Sequence, residues 1–526
     1  MELIPTRATF APGEPIEIEI VDAEEELTLE IRHLAQRVAQ VDVAAGATIA
    51  VLPPLPVGGY GVDAIVGGVC VSTACDVLEH PLARLRYGFA SDFGAGRDLD
   101  GLALHARRLH LNAIQLYDWM YRHERLVPPT DVYADALGRE LSLTSVRSVV
   151  ESLRAVGSQA LAYAAVYAVG RDARDDWADA ALLRPDGTQW QLGDDFLWLV
   201  NPANARWIEH LSTDLQRALA ATGAAGFHLD QYGWPKAALA HTGSPVDLAV
   251  AFPTLLSALR EALPDATLLF NNVNDFPSWS TAASPLDASY VEVWPPHTEL
   301  SHIAELARKT RALAPERPAV LASYPSVLAA APGEQARPAL ELLLATAFSH
   351  GASVLATGES GAVLVDPYYP RHHLAEPETL ELLRRMHDML VRFGDVLVGH
   401  AIELTRTHAG GINEEIVVSA PGVVVATDPL AGALWLRVVE TPHARVLHLI
   451  NLTGQAETGW DTPKRPIEPI NGAVLRLRRE RPSLEVFTAS PGAPVPTRLE
   501  GVADGDAGVF ALPPLGGWTM VLVRQL

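Results

Sequence analysis

Residues 226–230 read GFHLD and residues 289–294 read SYVEVW. In an extended strand alternate side chains point the same way. Phe227 and Leu229 then share one face, and His228 and Asp230 the other. In the second stretch Val291 and Val293 share a face, while Tyr290, Glu292 and Trp294 take the opposite one. Each strand would offer helices an apolar face and offer an interior a polar, aromatic face carrying one acid.

Working outward from these two stretches, short apolar segments alternate with helix-length ones from about Arg84 onward, the signature of repeated βα units. Eight strands are expected, at 86–91, 112–117, 159–166, 226–230, 267–273, 288–294, 319–324 and 353–358. Helices are expected between most of them, for instance at 203–221, 246–263, 299–313, 333–349 and 377–393. Eight units over residues 81–396 fit a (β/α)8 TIM barrel with insertions. Gly94 and Gly96 are not followed by a third glycine at the spacing a dinucleotide fold requires, which disfavours a doubly wound sheet. Residues 1–80 alternate in stretches such as 15–20 (PIEIEI) and 26–31 (ELTLEI), separated by Pro and Gly, and suggest an immunoglobulin-like β-sandwich. β-patterning returns over 397–526, as expected for a second all-β sandwich.

The chain has 526 residues and a formal charge of -23. Such a surface repels phosphate backbones, so no nucleic-acid partner is expected. Lys236, Lys309 and Lys464 are the only lysines, so there is no polybasic run for a lipid surface. No apolar run has the length of a membrane span. No signal peptide is visible at the start, so a cytoplasmic protein is the default expectation, and a secreted one if a leader has been removed. Nothing in the sequence sets an oligomeric state. Cys70 and Cys75 on one straight strand would be too far apart for a disulfide, and their neighbours offer no further metal ligands. No cofactor and no metal is expected. His372 and His373 read as a solvated pair. Asn451 opens a glycosylation pattern that is common by chance.

The chemistry should sit at the C-terminal strand ends. The second strand ends at Tyr117, Asp118 and Trp119, followed by His123. The fourth ends at Asp230 and continues through Gln231 to Trp234. The fifth ends in the run from Asn271 to Asp275, with Asn272, Asn274 and Asp275 as the expected contacts, and the sixth ends at Glu292 and Trp294. The eighth is followed by Glu359 and then Tyr368. Rings beside carboxylates suit sugars, whose C–H faces stack while hydroxyls bond acids and amides. Glycosidic cleavage needs one ionised and one protonated carboxyl. Asp230 is expected to be the nucleophile and Glu292 the general acid/base, its pKa raised by Trp294 and by the Asp230 charge. Plainer readings stand beside these. His228 could simply pack beside Asp230 and hydrogen-bond it. Asp275 and Glu359 could support loops, and Trp119, Trp234 and Trp294 could belong to the core. If Ile114 and Leu116 face the helices, Asp118 reaches the interior only if the strand has already ended.

Residues 226–233 (GFHLDQYG) resemble the nucleophile motif of glycoside hydrolase family 66, the dextranases and cycloisomaltooligosaccharide glucanotransferases. Residues 290–294 (YVEVW) resemble that family's acid/base strand, and 115–123 (QLYDWMYRH) a third segment. Residues 201–207 (NPANARW), and Gly358 and Glu359 through 366–370 (DPYYP), resemble a fourth and a fifth. The resemblance implies retaining endo-cleavage of α-1,6-glucan (dextran), releasing isomaltooligosaccharides, with Asp118 holding the sugar at the cleavage point. The carbohydrate-binding insertion of cyclising members has no room between these strands, which favours hydrolysis. Leu116 stands where the family pattern suggests phenylalanine. The rival readings are a glucanotransferase on the same substrate and a non-catalytic glucan-binding protein.

Overall fold

The computed structural model describes residues 1–478 and 484–525. Eight strands form its centre: β1 (Tyr87–Ala90), β2 (Ala113–Leu116), β3 (Gln159–Ala165), β4 (Gly226–Asp230), β5 (Thr267–Val273), β6 (Ala288–Glu292), β7 (Ala319–Ala322) and β8 (Ala352–Leu355). Each pairs in parallel with the next in chain order. After β8 the chain runs through Ala356 into the short strand Thr357–Gly358, and Gly358 pairs in parallel with Phe89 of β1. The curled sheet therefore returns to its first strand. Two short antiparallel strands, Ala362–Val363 and His373–Leu374, bring it to eleven. All eight expected strands are present, with ends trimmed by a few residues. β2 stops at Leu116, so Asp118 lies beyond the strand, as the alternation required.

The two faces of the sheet sort as the alternation predicts. Phe227, Leu229, Val291 and Val293 join the helix-side core with Leu211, Leu256 and Leu343. Tyr87, Phe89, Leu161, Leu269 and Tyr290 fill the inside. Strands covered on both faces read as short apolar runs, which is why they were visible. Closure needs a close approach at Gly358, where a Cβ would lie 2.1 Å from the Phe89 carbonyl oxygen.

The helices carry their own stop and start signals. In helix Ala205–Thr222 the Asn204 side chain accepts from the Trp207 amide, and Gly223 ends the helix at φ 71°. The buried Trp207 indole donates to the Val166 carbonyl at 2.8 Å. The stretch 201–207 therefore starts and anchors a helix.

Two sets of sheets flank the centre. Residues 2–77 form a three-stranded and a four-stranded antiparallel sheet around Ile16, Ile18, Leu29, Ile31 and Val62. Cys70 (exposed) and Cys75 (buried) are free and share the strand Val69–Val77. After Ile402 the described residues form a seven-stranded and a four-stranded sheet around Leu434, Leu447, Leu475 and Val521. Asn451 is fully buried there, its amide donating to the Glu468 and Leu515 carbonyls, so it offers no sugar attachment point. Among the described residues no helix is long and apolar enough to cross a membrane.

Buried ion pairs and a loop join the flanks to the centre. Arg86 bonds Asp76 through both terminal guanidinium nitrogens at 2.7 and 3.2 Å, and also donates to the Ala8 and His110 carbonyls. Arg392 pairs with Asp63 in the same dry layer. On the other side a loop of the C-terminal segment reaches the exits of β6 and β7. The Trp460 indole donates to the His297 carbonyl at 2.7 Å, and the Leu300 amide to the Thr458 carbonyl at 2.9 Å. The Asp461 carboxylate accepts from the Ser326 hydroxyl and the Val327 amide.

Removing one member of a buried pair strands the other charge. Arg86→Met is expected to lower stability by about 3–5 kcal/mol in urea unfolding. The double variant Arg86→Met/Asp76→Leu should recover a large part of that loss.

Candidate active site

β4 and β6 end in Asp230 and Glu292, and β5 runs between them. Asn271 of β5 points to the same side. Its Nδ2 donates to Asp230 Oδ1 at 2.8 Å and to Glu292 Oε2 at 3.0 Å. Those two bonds cap the separation of the oxygens at about 5.8 Å, below the ~6.5 Å at which room opens for an intervening water. Each acid also has a tyrosine of its own. Tyr163 of β3 donates to Asp230 Oδ2 at 2.7 Å, and Tyr324, just past β7, donates to Glu292 Oε1.

Burial, and then the facing Glu292 charge, push the Asp230 carboxyl up to about 7, against the donors Asn271 and Tyr163. The sequence predicts a raised acid at Glu292; a raised carboxyl is found at Asp230. The Asn271 amide ties the two carboxyls into one buried environment. Burial also raises Asp118 to about 7, with the Arg139 guanidinium opposing from 3.9 Å.

A cleft of about 740 Å³ opens above the pair. Tyr117, Asp118, Tyr163, Asp230, Glu292 and Trp294 form its floor and near wall. His123, Leu137, Phe196, Trp234, Asn274 and Tyr368 line the rest. Tyr117 stacks on Tyr369 at 4.1 Å between ring centres, and Trp294 leans on Tyr324 at 5.7 Å. Asp118 reaches the cleft because its backbone adopts φ 50° directly after β2. Burial lowers His123 to about 4, so its ring is neutral at ordinary pH. A wider groove of about 1610 Å³ lies between the N-terminal sheets, helix Pro377–Arg392 and the turn at 491–495. Its lining has no aromatic ring, so it lacks the stacking surfaces a sugar uses.

Several expected contacts fall elsewhere. Trp119 is fully buried, and its indole donates to the Tyr163 carbonyl at 3.1 Å behind the wall. His228 lies one layer below the acids. It stacks between Tyr87 and Tyr163 and meets the Tyr87 hydroxyl at 3.2 Å, so Asp230 is not its partner. Burial alone lowers its pKa to about 3. Gln231 touches the cleft but is 1 % exposed, and its amide ties the Asn271 and Phe276 carbonyls together. Asn272 points to the helix side, bonding the Tyr290 carbonyl and the Thr281 hydroxyl. Asp275 pairs with Lys309, whereas Asn274 stays in the cleft lining while its amide donates to the Pro295 carbonyl. Glu359 accepts from the Ser91 and Asp92 amides and from Arg97, which fixes the turn after β1. The residues missed from sequence are Asn271, Tyr163 and Tyr324. The alternation that selected Asp230 and Glu292 selects Asn271 over Asn272 on the same grounds.

The family model for glycosyl hydrolase family 66 matches residues 5–522. The chain belongs to glycosyl hydrolase family 66. A cycloisomaltooligosaccharide glucanotransferase of Niallia circulans is 24% identical over 288 residues, which take in 49% of this chain and 29% of that protein's length. The crystal structure of a Paenibacillus sp. cycloisomaltooligosaccharide glucanotransferase, complexed with cycloisomaltoheptaose, superposes with a TM-score of 0.87 at 18% identity, covering 99% of each chain. A maltogenic α-amylase from Thermotoga neapolitana superposes with a TM-score of 0.54 at 11% identity, over 85% of this chain and 100% of the other. At these identities the superpositions speak for the fold alone.

A carboxyl whose pKa is raised on folding favours the folded state below its unfolded value, and that contribution is lost as pH rises through the folded value. For Asp230 the window runs from about 4 to about 7. Asp230→Asn should therefore be more stable than the unsubstituted chain at pH 8, by on the order of 1–3 kcal/mol, and the gain should vanish near pH 4. Thermal unfolding across that pH range measures it.

Proposed function

We propose that this family 66 chain is a retaining glycoside hydrolase that cleaves α-1,6-glucan internally and releases isomaltooligosaccharides. Asp230 attacks the anomeric carbon and Glu292 protonates the departing oxygen. The glycosyl-Asp230 ester is then hydrolysed by a water whose proton returns to Glu292. The observation that carries this reading is the pair of acids held by one amide on the floor of a ring-lined cleft. Tyr163 and Tyr324 keep each carboxyl aimed, and Trp294 packs against Tyr324 at the edge of the cleft. Tyr117, Asp118, His123, Trp234 and Tyr368 are the sugar-contacting candidates that the cleft supports.

The central sheet is read with this as a (β/α)8 barrel spanning 81–396. The return of β8 to β1 and the placement of the acids at the C-terminal strand ends support it. The two sheets over 1–80 are read as an immunoglobulin-like sandwich, and those over 397–526 as a second β-sandwich. Separate apolar cores in each support the division.

The names of the relatives favour a second reading, in which a sugar hydroxyl replaces water and the product is a longer or cyclic glucan. Both reactions pass through the same ester, so the acceptor alone separates them. Incubation with dextran followed by product chromatography should give linear isomaltooligosaccharides; cyclic products in quantity would establish transfer instead.

Asp230→Asn and Glu292→Gln should each lower kcat by several orders of magnitude, about tenfold for every 1.4 kcal/mol of barrier. Asp230→Asn should still bind dextran in affinity electrophoresis. An unsubstituted protein that binds but releases no reducing ends would support a glucan-binding role without catalysis.

Asp230 attacks in its ionised form and its carboxyl is pushed up to about 7, so activity should rise as pH climbs toward that value. Glu292→Gln removes the facing charge, so the Asp230 carboxyl should titrate lower, and carboxyl NMR reads the shift.

A further inference from the structure

Asn271 sits between the two acids and touches both. An amide nitrogen carries two hydrogens about 120° apart, so straight bonds of 2.8 and 3.0 Å hold their acceptors about 5 Å apart. Retention needs a separation of about 5–5.5 Å, and inversion about 6.5–9.5 Å. Turned the other way, the amide oxygen would face two carboxyls of which at most one carries a proton to offer, so this orientation serves both acids better. It is 3 % exposed, and its own Oδ1 is buried without a partner. The side chain gives up one hydrogen bond at its far end while serving both acids at the near end. A loop or capping role would explain neither feature.

We infer that Asn271 is a positioning residue that sets the spacing of Asp230 and Glu292 and steadies the state in which one of them is ionised. The inference rests on the roles proposed above for those two acids. Besides Glu292, the groups facing Asp230 are the hydroxyls of Tyr117, Tyr163, Tyr167, Tyr232 and Tyr369. None of these is a cation that could replace the amide. Without Asn271 the two carboxyls repel across an unfilled gap, and Asp230 loses a donor that lowers its pKa.

The test is Asn271→Ala, with Asn271→Ser as a second variant that keeps one donor. Asn271→Ala should lower kcat by about 10²–10³-fold and leave KM within about threefold, as when one preorganised donor is lost. The acid limb of the pH profile, which reports ionisation of Asp230, should move up by about half a pH unit. Carboxyl NMR of Asp230 should show the same upward shift without any substrate. Asn271→Ser should fall between the two, and it carries the same measurements if the alanine variant fails to fold. An unchanged kcat overturns the inference. A lowered kcat with an unmoved Asp230 titration also overturns it, since a merely structural role would produce that pattern. If the unsubstituted protein cleaves no α-1,6-glucan, the proposed function fails, while the NMR titration still decides what Asn271 does to Asp230.

Discussion

Two carboxyls within reach of one amide repel each other once both are ionised, and the surrounding structure is built to bear that cost. Burial strengthens the repulsion, since the field between the acids is poorly screened. Three neutral donors, Asn271, Tyr163 and Tyr324, answer it without adding a positive charge that would keep both acids ionised. The result is an Asp230 carboxyl raised to about 7 in spite of two donors that favour its charge.

The sheet makes this arrangement possible. β4, β5 and β6 run side by side in parallel, so residues near their ends come level without long loops. Below the acids, Tyr87, His228, Tyr163 and Tyr290 form an aromatic layer that carries no cation. His228 is neutral there because burial disfavours its charged form. The stiff layer beneath and the open cleft above give the acids a fixed footing and leave the substrate side accessible.

Much of this was legible in the sequence. Strands buried on both faces leave short apolar runs, and all eight were readable for that reason. The two acids stood out because each interrupts such a run at its polar face. What was not legible depended on partners distant in the chain. Trp119 looks like a sugar platform until its indole meets the Tyr163 carbonyl. Glu359 looks like a substrate contact until the Ser91 and Asp92 amides and Arg97 claim it. Tyr163 and Tyr324 lie in or beside apolar strands and read as core. Asn272 was a failure of a different kind, because the period-2 rule already pointed to its neighbour Asn271.

The loop that carries Trp460 and Asp461 bears on how this molecule can be divided. Glu292 stands at the end of β6, and the chain leaving it is tied down by an indole from more than a hundred residues later. The exit of β7 is held by the same loop. The C-terminal sheets are thus not an appendage to be trimmed in a minimal catalyst. A chimera that grafts the central strands onto a foreign tail would inherit the acids and lose the bonds that tie down the chain leaving β6 and β7.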